Sequence, residues 1–287
     1  MPAERFFAVD VGGSSVKSGF VDDDGVAEQT QEPVAGDLDG LVRQLARVHR
    51  EAGAGAWGLS VAGLVDADRG VVRYAANLPL QDAPLVELVA AEVPAPSAFA
   101  NDLVAAAVGE AAGGTLALLQ AGTGIAGRFA VNGHVLGSAS AHAGEVGHLR
   151  FRPGGLLCRC GQLGCAEAYG AWGGILDRHA AAGRGRPSPA SLLAAAAEDE
   201  WARWILDDAL AAIGFAASAL VATWDPGTLR VGGGLAAAWG ETLLEAIRTT
   251  LAESVLPDVA AATRVEPARH GDAAALHGLF RLSRPSA

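Results

Sequence analysis

All three cysteines of this 287-residue chain fall within eight residues, Cys158-Arg159-Cys160-Gly161-Gln162-Leu163-Gly164-Cys165. Glycines between the thiols let the backbone fold sharply, so the spacing suits a structural zinc knuckle that lacks one ligand. His148, upstream in Gly144-Glu145-Val146-Gly147-His148, is the natural fourth among seven histidines. Two other readings stand beside it. Three unconnected core thiols would not cluster while the rest of the chain has none, and a disulfide would leave one thiol over. An odd cysteine count and no secretory leader before the first strand point to a reducing compartment, the cytoplasm.

The metal would brace a polar site. Glu145 lies next to the expected ligand and Glu167 follows the knuckle. A carboxylate can accept two sugar hydroxyls, and a zinc-bound imidazole keeps its other N–H free to donate in a direction that the metal fixes. Two turns could serve a triphosphate. Asp10-Val11-Gly12-Gly13-Ser14-Ser15 joins a carboxylate, two glycines and two hydroxyls, which would bring backbone N–H groups to an anion and hold magnesium through water. Gly122-Thr123-Gly124 is a second turn of this kind. Neither fits G-x-x-x-x-G-K-[ST]. Residues Gly122 to Gly127 fit G-x-G-x-x-G by letter, but a hairpin is expected after them where the dinucleotide fingerprint needs a helix.

Asp102 is the candidate catalytic base, because phosphoryl transfer to an alcohol needs a carboxylate to orient the hydroxyl and accept its proton. Asn101 offers a donor and an acceptor for a sugar hydroxyl. Helix capping is the plain alternative for Asn101-Asp102.

These groups need a scaffold. Phe6 to Val9 reads as a strand, with a return strand from Val16 to Val21 and a hairpin turn at Asp22 to Gly25. Leu38 to Ala52 has helical spacing behind an Asp37 N-cap. Ala56 to Val61 reads as a buried strand, Gly63 to Asp66 as a loop, Ser97 to Ala100 as a strand, and the alanine-rich run to Ala112 as a helix. A second section starts with the strand Leu116 to Leu119, with Arg128 to Val131 turning at Asn132-Gly133. Helices follow over 167–182, 189–197 and 200–223. Leu229 to Val231 then leads through Gly232-Gly233-Gly234 into a helix from Leu235 to Leu251. Two strand-then-glycine turns in separate halves imply two related α/β lobes facing each other. The lobes are expected at 1–103 and 104–270, with a last helix over about 271–287 packing back on the first.

Hydrophobic residues make up 51% and charged residues 18%, which argues for a large core and against long disorder. No run of eighteen apolar residues appears, so no membrane-spanning helix is expected. A net charge of −11 disfavours nucleic acid and anionic membrane as partners.

Taken in order, Asp10-Val11-Gly12-Gly13, Asn101-Asp102, Gly122-Thr123-Gly124-Ile125, Ala143-Gly144-Glu145-Val146-Gly147-His148, Cys158 to Glu167 and Gly232-Gly233-Gly234 resemble the ROK family of sugar kinases and repressors. The resemblance implies an actin-like ATPase (ribonuclease H-like) duplicated α/β fold, with ATP and sugar meeting in an interlobe cleft. It implies Asp102 as base for the 6-hydroxyl, and Gly63, Asn77, Asn101, Glu145, His148 and Glu167 at the sugar. Zinc would be held by His148, Cys158, Cys160 and Cys165. Asp10, Gly12, Gly13, Ser14, Lys17, Gly122, Thr123 and Gly124 would serve ATP and magnesium, and Gly233 and Gly234 the adenosine side. A homodimer or homotetramer is implied as well.

Three positions depart from the family pattern. Ser14-Ser15 stands where threonine is usual, Ala62 replaces a proline, and Ala126 with Arg128 replaces glycines. Arg128 would pair with a phosphate, face solvent or disturb the nucleotide turn. The leading expectation is an ATP-dependent glucokinase. An N-acetylhexosamine or amino-sugar kinase is the rival in the same chemistry, and a noncatalytic sugar-binding regulator is the rival in another. A repressor is disfavoured by the five residues ahead of Phe6, too few for a helix-turn-helix segment.

Overall fold

The computed structural model describes residues 5–75, 77–78, 80–111, 114–137 and 142–284. The chain divides into two compact units, one of residues Met1–Ala112, Gly133–His142 and Asp272–Ala287, the other of Gly113–Asn132 and Ala143–Gly271. The helix that carries Asp102 therefore stays whole within the first unit, where a border at 103 would cut it.

The first unit opens with β1 (Phe6–Val11), β2 (Ser15–Val21) and β3 (Val26–Pro33), then α1 (Leu38–Ala52) and β4 (Trp57–Val61). β5 (Leu64–Asp66), β6 (Val71–Ala75) and β7 (Leu80–Ala83) follow, then α2 (Leu85–Ala90), β8 (Ala98–Asn101) and α3 (Asp102–Glu110). The main sheet has the order β3-β2-β1-β4-β8. β1 pairs antiparallel with β2 and parallel with β4, and β4 pairs parallel with β8. Parallel strands bury both faces, which is why every residue of β4 is buried. Helix α1 is amphipathic, with Leu41, Leu45, Ala46 and His49 turned inward, the Asp37 side chain accepting from Gly40 N, and Gly53 ending it at φ 60°.

The second unit holds β9 (Thr115–Ala121) and β10 (Ile125–Val131), which turns at Asn132-Gly133 into β11 (His134–Val135), an edge strand supplied by the stretch 133–142 of the first unit. The helices α4 (Ala166–Gly170), α5 (Trp172–Ala181), α6 (Pro189–Ala195) and α7 (Glu200–Trp224) come next. They are followed by β12 (Thr228–Gly232), α8 (Gly234–Trp239), α9 (Glu241–Ser254), α10 (Pro257–Ala262) and β13 (Arg264–Pro267). Its sheet has the order β11-β10-β9-β12-β13, with β9 antiparallel to β10, parallel to β12, and β12 parallel to β13. Helix α7 is long and apolar enough to cross a membrane, yet Ile205, Ala209, Ile213, Ala216 and Leu220 are buried in this unit's core. At Gly214 an added Cβ would lie 2.4 Å from Thr250 Oγ1, so the glycine sets how closely α7 and α9 approach.

Helix α11 (Ala274–Leu282) belongs to the first unit and lies against α3. A Cβ at Gly278 would sit 1.7 Å from Ala105 O. Arg281 Nη1 also donates to the carbonyls of Val108 and Ala111, closing the C-terminus of α3.

Some sequence expectations need correcting. The segment 64–66, read as a loop, is an edge of a separate three-stranded sheet, β5-β6-β7. The helix expected over 167–182 is broken at Ala171, whose ψ of 152° is extended, and the one over 235–251 is broken at Gly240. The strand expected from Arg128 begins at Ile125. Helix α3 ends at Glu110, and Ala112 and Pro79 lie outside the described residues.

Candidate active site

In the first unit, β8 delivers Asn101 and Asp102 to the start of α3. The Asn101 Oδ1 accepts from Val104 N at 3.0 Å, so the capping role is real. Its Nδ2 donates to Gly63 O and to Asp102 Oδ1, both at 2.8 Å. Both amide hydrogens are thus engaged, and Asn101 acts on the Asp102 carboxylate directly. Leu103 N donates to the same Oδ1 at 2.8 Å. These donors and the helix N-terminus hold Asp102 in one orientation. Gly63 reaches Asn101 only because it is glycine: φ is 121°, and a Cβ would lie 2.4 Å from Tyr74 O.

The β1–β2 turn closes through Gly12 N donating to Ser15 O at 2.9 Å. Gly13 and Ser14 are exposed, and Asn77 packs on Gly13 so tightly that a Cβ there would be 2.9 Å from Asn77 Cβ. Asp10 accepts from Ser60 Oγ at 2.7 Å. Burial and then the charge of Asp102 push the Asp10 carboxyl up to about 7, against the Ser60 hydrogen bond and the Lys17 ammonium. Lys17 Nζ lies 3.4 Å from Asp272 Oδ2. Ser60 and Asp272 were not singled out from the sequence. A hydroxyl in the wholly buried strand β4 is the signal that would have found the first.

In the second unit, the turn Gly122-Thr123-Gly124 joins β9 to β10, with Gly122 N donating to Gly124 O at 3.0 Å. Glu167 Oε2 accepts from Ile125 N at 3.0 Å, and a Cβ on Gly124 would come within 2.8 Å of that oxygen. Gly233, at φ 90°, begins α8 with no room for a Cβ beside Ala121 O. A Cβ on Gly122 would lie 3.5 Å from Gly234 N, so the two predicted nucleotide segments are neighbours.

Among the described residues, His148, Cys158, Cys160 and Cys165 bring their ligand atoms within 4.8 Å of one another. His148 Nδ1 is 3.7 Å from Cys158 Sγ, and Cys160 Sγ is 3.7 Å from Cys165 Sγ. Tetrahedral zinc with bonds of about 2.3 Å to sulfur separates its ligands by about 3.7 Å, so three thiolates and an imidazole fit that ion. Burial first, and neighbouring thiols second, push Cys165 up to about 12, and burial also raises Cys158. A cation among them would relieve both effects. The other face of the same imidazole presents Nε2 at 4.0 Å from Glu145 Oε2 and 4.0 Å from Glu167 Oε1. One ring thus separates a metal face from a polar face.

The knuckle is anchored to the unit's core. Asp208 on α7, its side chain 2% exposed, forms ion pairs with Arg178 Nη2 at 2.7 Å and with Arg152, and Tyr169 Oη accepts from Leu156 N at 2.7 Å. These residues were not predicted, since nothing in their local pattern links them across the chain. Arg128 does not face solvent: it is 6% exposed, with its guanidinium on backbone carbonyls.

The sequence profile of the ROK family matches residues 6–285. The glucokinase of Halalkalibacterium halodurans is 29% identical over 308 residues, covering 95% of this chain and 93% of that one. The N-acetyl-D-glucosamine kinase of Pectobacterium atrosepticum is 27% identical over 304 residues, covering 96% and 98%. Among solved structures, a ROK hexokinase from Thermus thermophilus superposes with a TM-score of 0.79 at 30% identity, covering 96% of each chain. A ROK family glucokinase from Streptomyces griseus in complex with glucose and AMPPNP gives 0.78 at 26% identity, covering 98% of this chain and 100% of that one.

Proposed function

The chain belongs to the ROK family, and from that premise we propose that it transfers the γ-phosphoryl group of ATP to the 6-hydroxyl of a hexose, glucose foremost. It is an ATP-dependent sugar kinase on an actin-like ATPase fold. The observation that supports the sugar reading best is the division of the His148 ring, Nδ1 toward the thiols and Nε2 toward Glu145 and Glu167.

In this reading zinc, held by His148, Cys158, Cys160 and Cys165, is structural. With its Nδ1 turned toward the thiols, His148 would carry the proton on Nε2 and donate to a ring hydroxyl, while Glu145 and Glu167 would accept from its neighbours. Gly63 and Asn77 would help to shape the sugar site. Asp102 orients the 6-hydroxyl and takes its proton as the oxygen bonds to phosphorus. Asn101, whose amide hydrogens are already engaged, keeps Asp102 in position. Asp10 would hold magnesium through water, with Gly12, Gly13, Ser14 and Lys17 beside the phosphates. Gly122, Thr123 and Gly124 would take the phosphates from the second unit, with Gly233 and Gly234 toward the adenosine. Magnesium supplies neutralisation of phosphate charge when bound. Reduced thiols at the metal site fit the cytoplasm, and a homodimer or homotetramer completes the reading.

An N-acetylhexosamine kinase is the second reading, favoured by the similarity to N-acetyl-D-glucosamine kinase over nearly the whole chain. ADP release with ATP and magnesium across glucose, mannose, glucosamine, N-acetylglucosamine and N-acetylmannosamine decides between them. Glucose should give the highest kcat/KM. An acetylated sugar ahead of it would move the assignment, and ADP release that no sugar stimulates would defeat both readings.

A further inference from the structure

Arg128 lies in β10 where an apolar residue would be expected for burial on a strand, and a guanidinium there needs strong hydrogen bonds to offset desolvation. It finds carbonyls of its own unit. Its Nη1 donates to Gly127 O at 2.9 Å and also to Ala143 O, the residue that enters Gly144-Glu145-Val146-Gly147-His148. The same loop is laid along β10 by further contacts. Gly127 N donates to Gly144 O at 2.7 Å. Gly144, at φ 82°, could not carry a Cβ, which would fall 1.8 Å from Gly127 O, and a Cβ on Gly147 would fall 2.2 Å from Ile125 O.

We infer that Arg128 is a positioning residue for the sugar-binding loop: it fixes the height of Ala143 above β10 and through it the placement of Glu145 and His148. The inference rests on the hexose kinase reading. Arg128 is the fourth residue of β10, the strand that leaves the turn Gly122-Thr123-Gly124, yet its bonds run to the loop that carries Glu145. A change at this residue therefore acts on the hexose rather than on the nucleotide.

The test compares Arg128→Met and Arg128→Lys with the unaltered enzyme, measuring KM for hexose, KM for ATP, kcat and zinc per chain. Misplaced binding groups lose up to about 10²-fold in efficiency. Arg128→Met should raise the hexose KM about tenfold while ATP KM, kcat and zinc stay within about twofold. Arg128→Lys, which keeps a donor able to reach one carbonyl, should recover most of that loss. If Arg128→Met does not fold, Arg128→Gln, polar but shorter than the guanidinium, carries the test by the same split. A rise in ATP KM with an unchanged hexose KM in either variant overturns the inference, as does an Arg128→Met enzyme with no change in any constant. Hexose turnover by the unaltered enzyme is the separate control, since its absence defeats the kinase reading and leaves Arg128 to be judged by direct glucose binding to the same variants.

Discussion

The two units build one sheet twice and equip it differently. In each, the first strand is central, an antiparallel hairpin lies on one side, and two parallel strands lie on the other: β3-β2-β1-β4-β8 and β11-β10-β9-β12-β13. In each, the first hairpin turn is rich in glycine. The turn after β1 is supported by a polar set, half-buried Asp10 on buried Ser60 with Lys17 nearby. The turn after β9 is supported by Glu167, which follows the cysteine cluster. The first unit places its chemistry at a strand-to-helix junction, where a short hydrogen-bond chain fixes Asp102. The second inserts a knuckle between β11 and α4 and anchors it to the core through Asp208. A common scaffold thus carries the proposed base on one unit and the proposed sugar-binding imidazole on the other, and only the second has a cluster of metal-ligating side chains among the described residues.

That contrast can be broken from either side, and the kinetic signatures should differ. Asp102→Asn keeps the shape and the hydrogen bond from Leu103 N but removes the proton acceptor. We expect kcat to fall about 10²–10⁴-fold with glucose affinity and zinc content nearly unchanged, measured by coupled ADP release, calorimetry and metal analysis. Cys160→Ser strikes the other unit. Zinc per chain should drop from one to well below it, glucose affinity should weaken on the order of 10-fold or more, and the melting temperature should fall by several degrees. Full glucose affinity in a zinc-free Cys160→Ser protein would show that the metal does not orient His148.

The smallest effect concerns stability. Each unit buries one imidazole, His49 against Trp57 and His179 against Trp201. Burial holds both below the usual histidine range, aided by Arg50 for His49 and by Arg184 and Arg178 for His179. Above pH 7 both rings are neutral in the folded and unfolded chain alike. As pH falls through about 6.5, the unfolded chain takes up protons first, so stability declines until the folded-state values are reached. His49→Leu should flatten the change in melting temperature between pH 7 and pH 5. An unaltered slope in that variant would assign the pH dependence elsewhere.

Much of this could be read from residue types. Glycines with hydroxyls marked both tight turns, Asn132-Gly133 marked its hairpin, and the clustered thiols led to His148. What escaped was carried by distance along the chain. The Leu64–Asp66 strand is too short to show alternation and exists only because β6 pairs with it. Helix α4 stops at a residue with no breaker of its own, because Trp172 N turns away to donate to Gly122 O. Gly240, inside the helix expected over 235–251, instead ends α8. Arg128 looked like a threat to nucleotide binding, and the carbonyl that engages it belongs to a loop further along the chain. Helix α7 shows the converse limit, since its composition fits a membrane as well as a core and only its packing decides.

The most direct test of the whole account is the identity of the product. Phosphorus NMR of a reaction of the purified enzyme with glucose, ATP and magnesium should show one new phosphate monoester, on the 6-hydroxyl, formed in step with ADP, and 6-deoxyglucose should yield none. Phosphate on another hydroxyl, or ADP accumulating with inorganic phosphate alone, would contradict it.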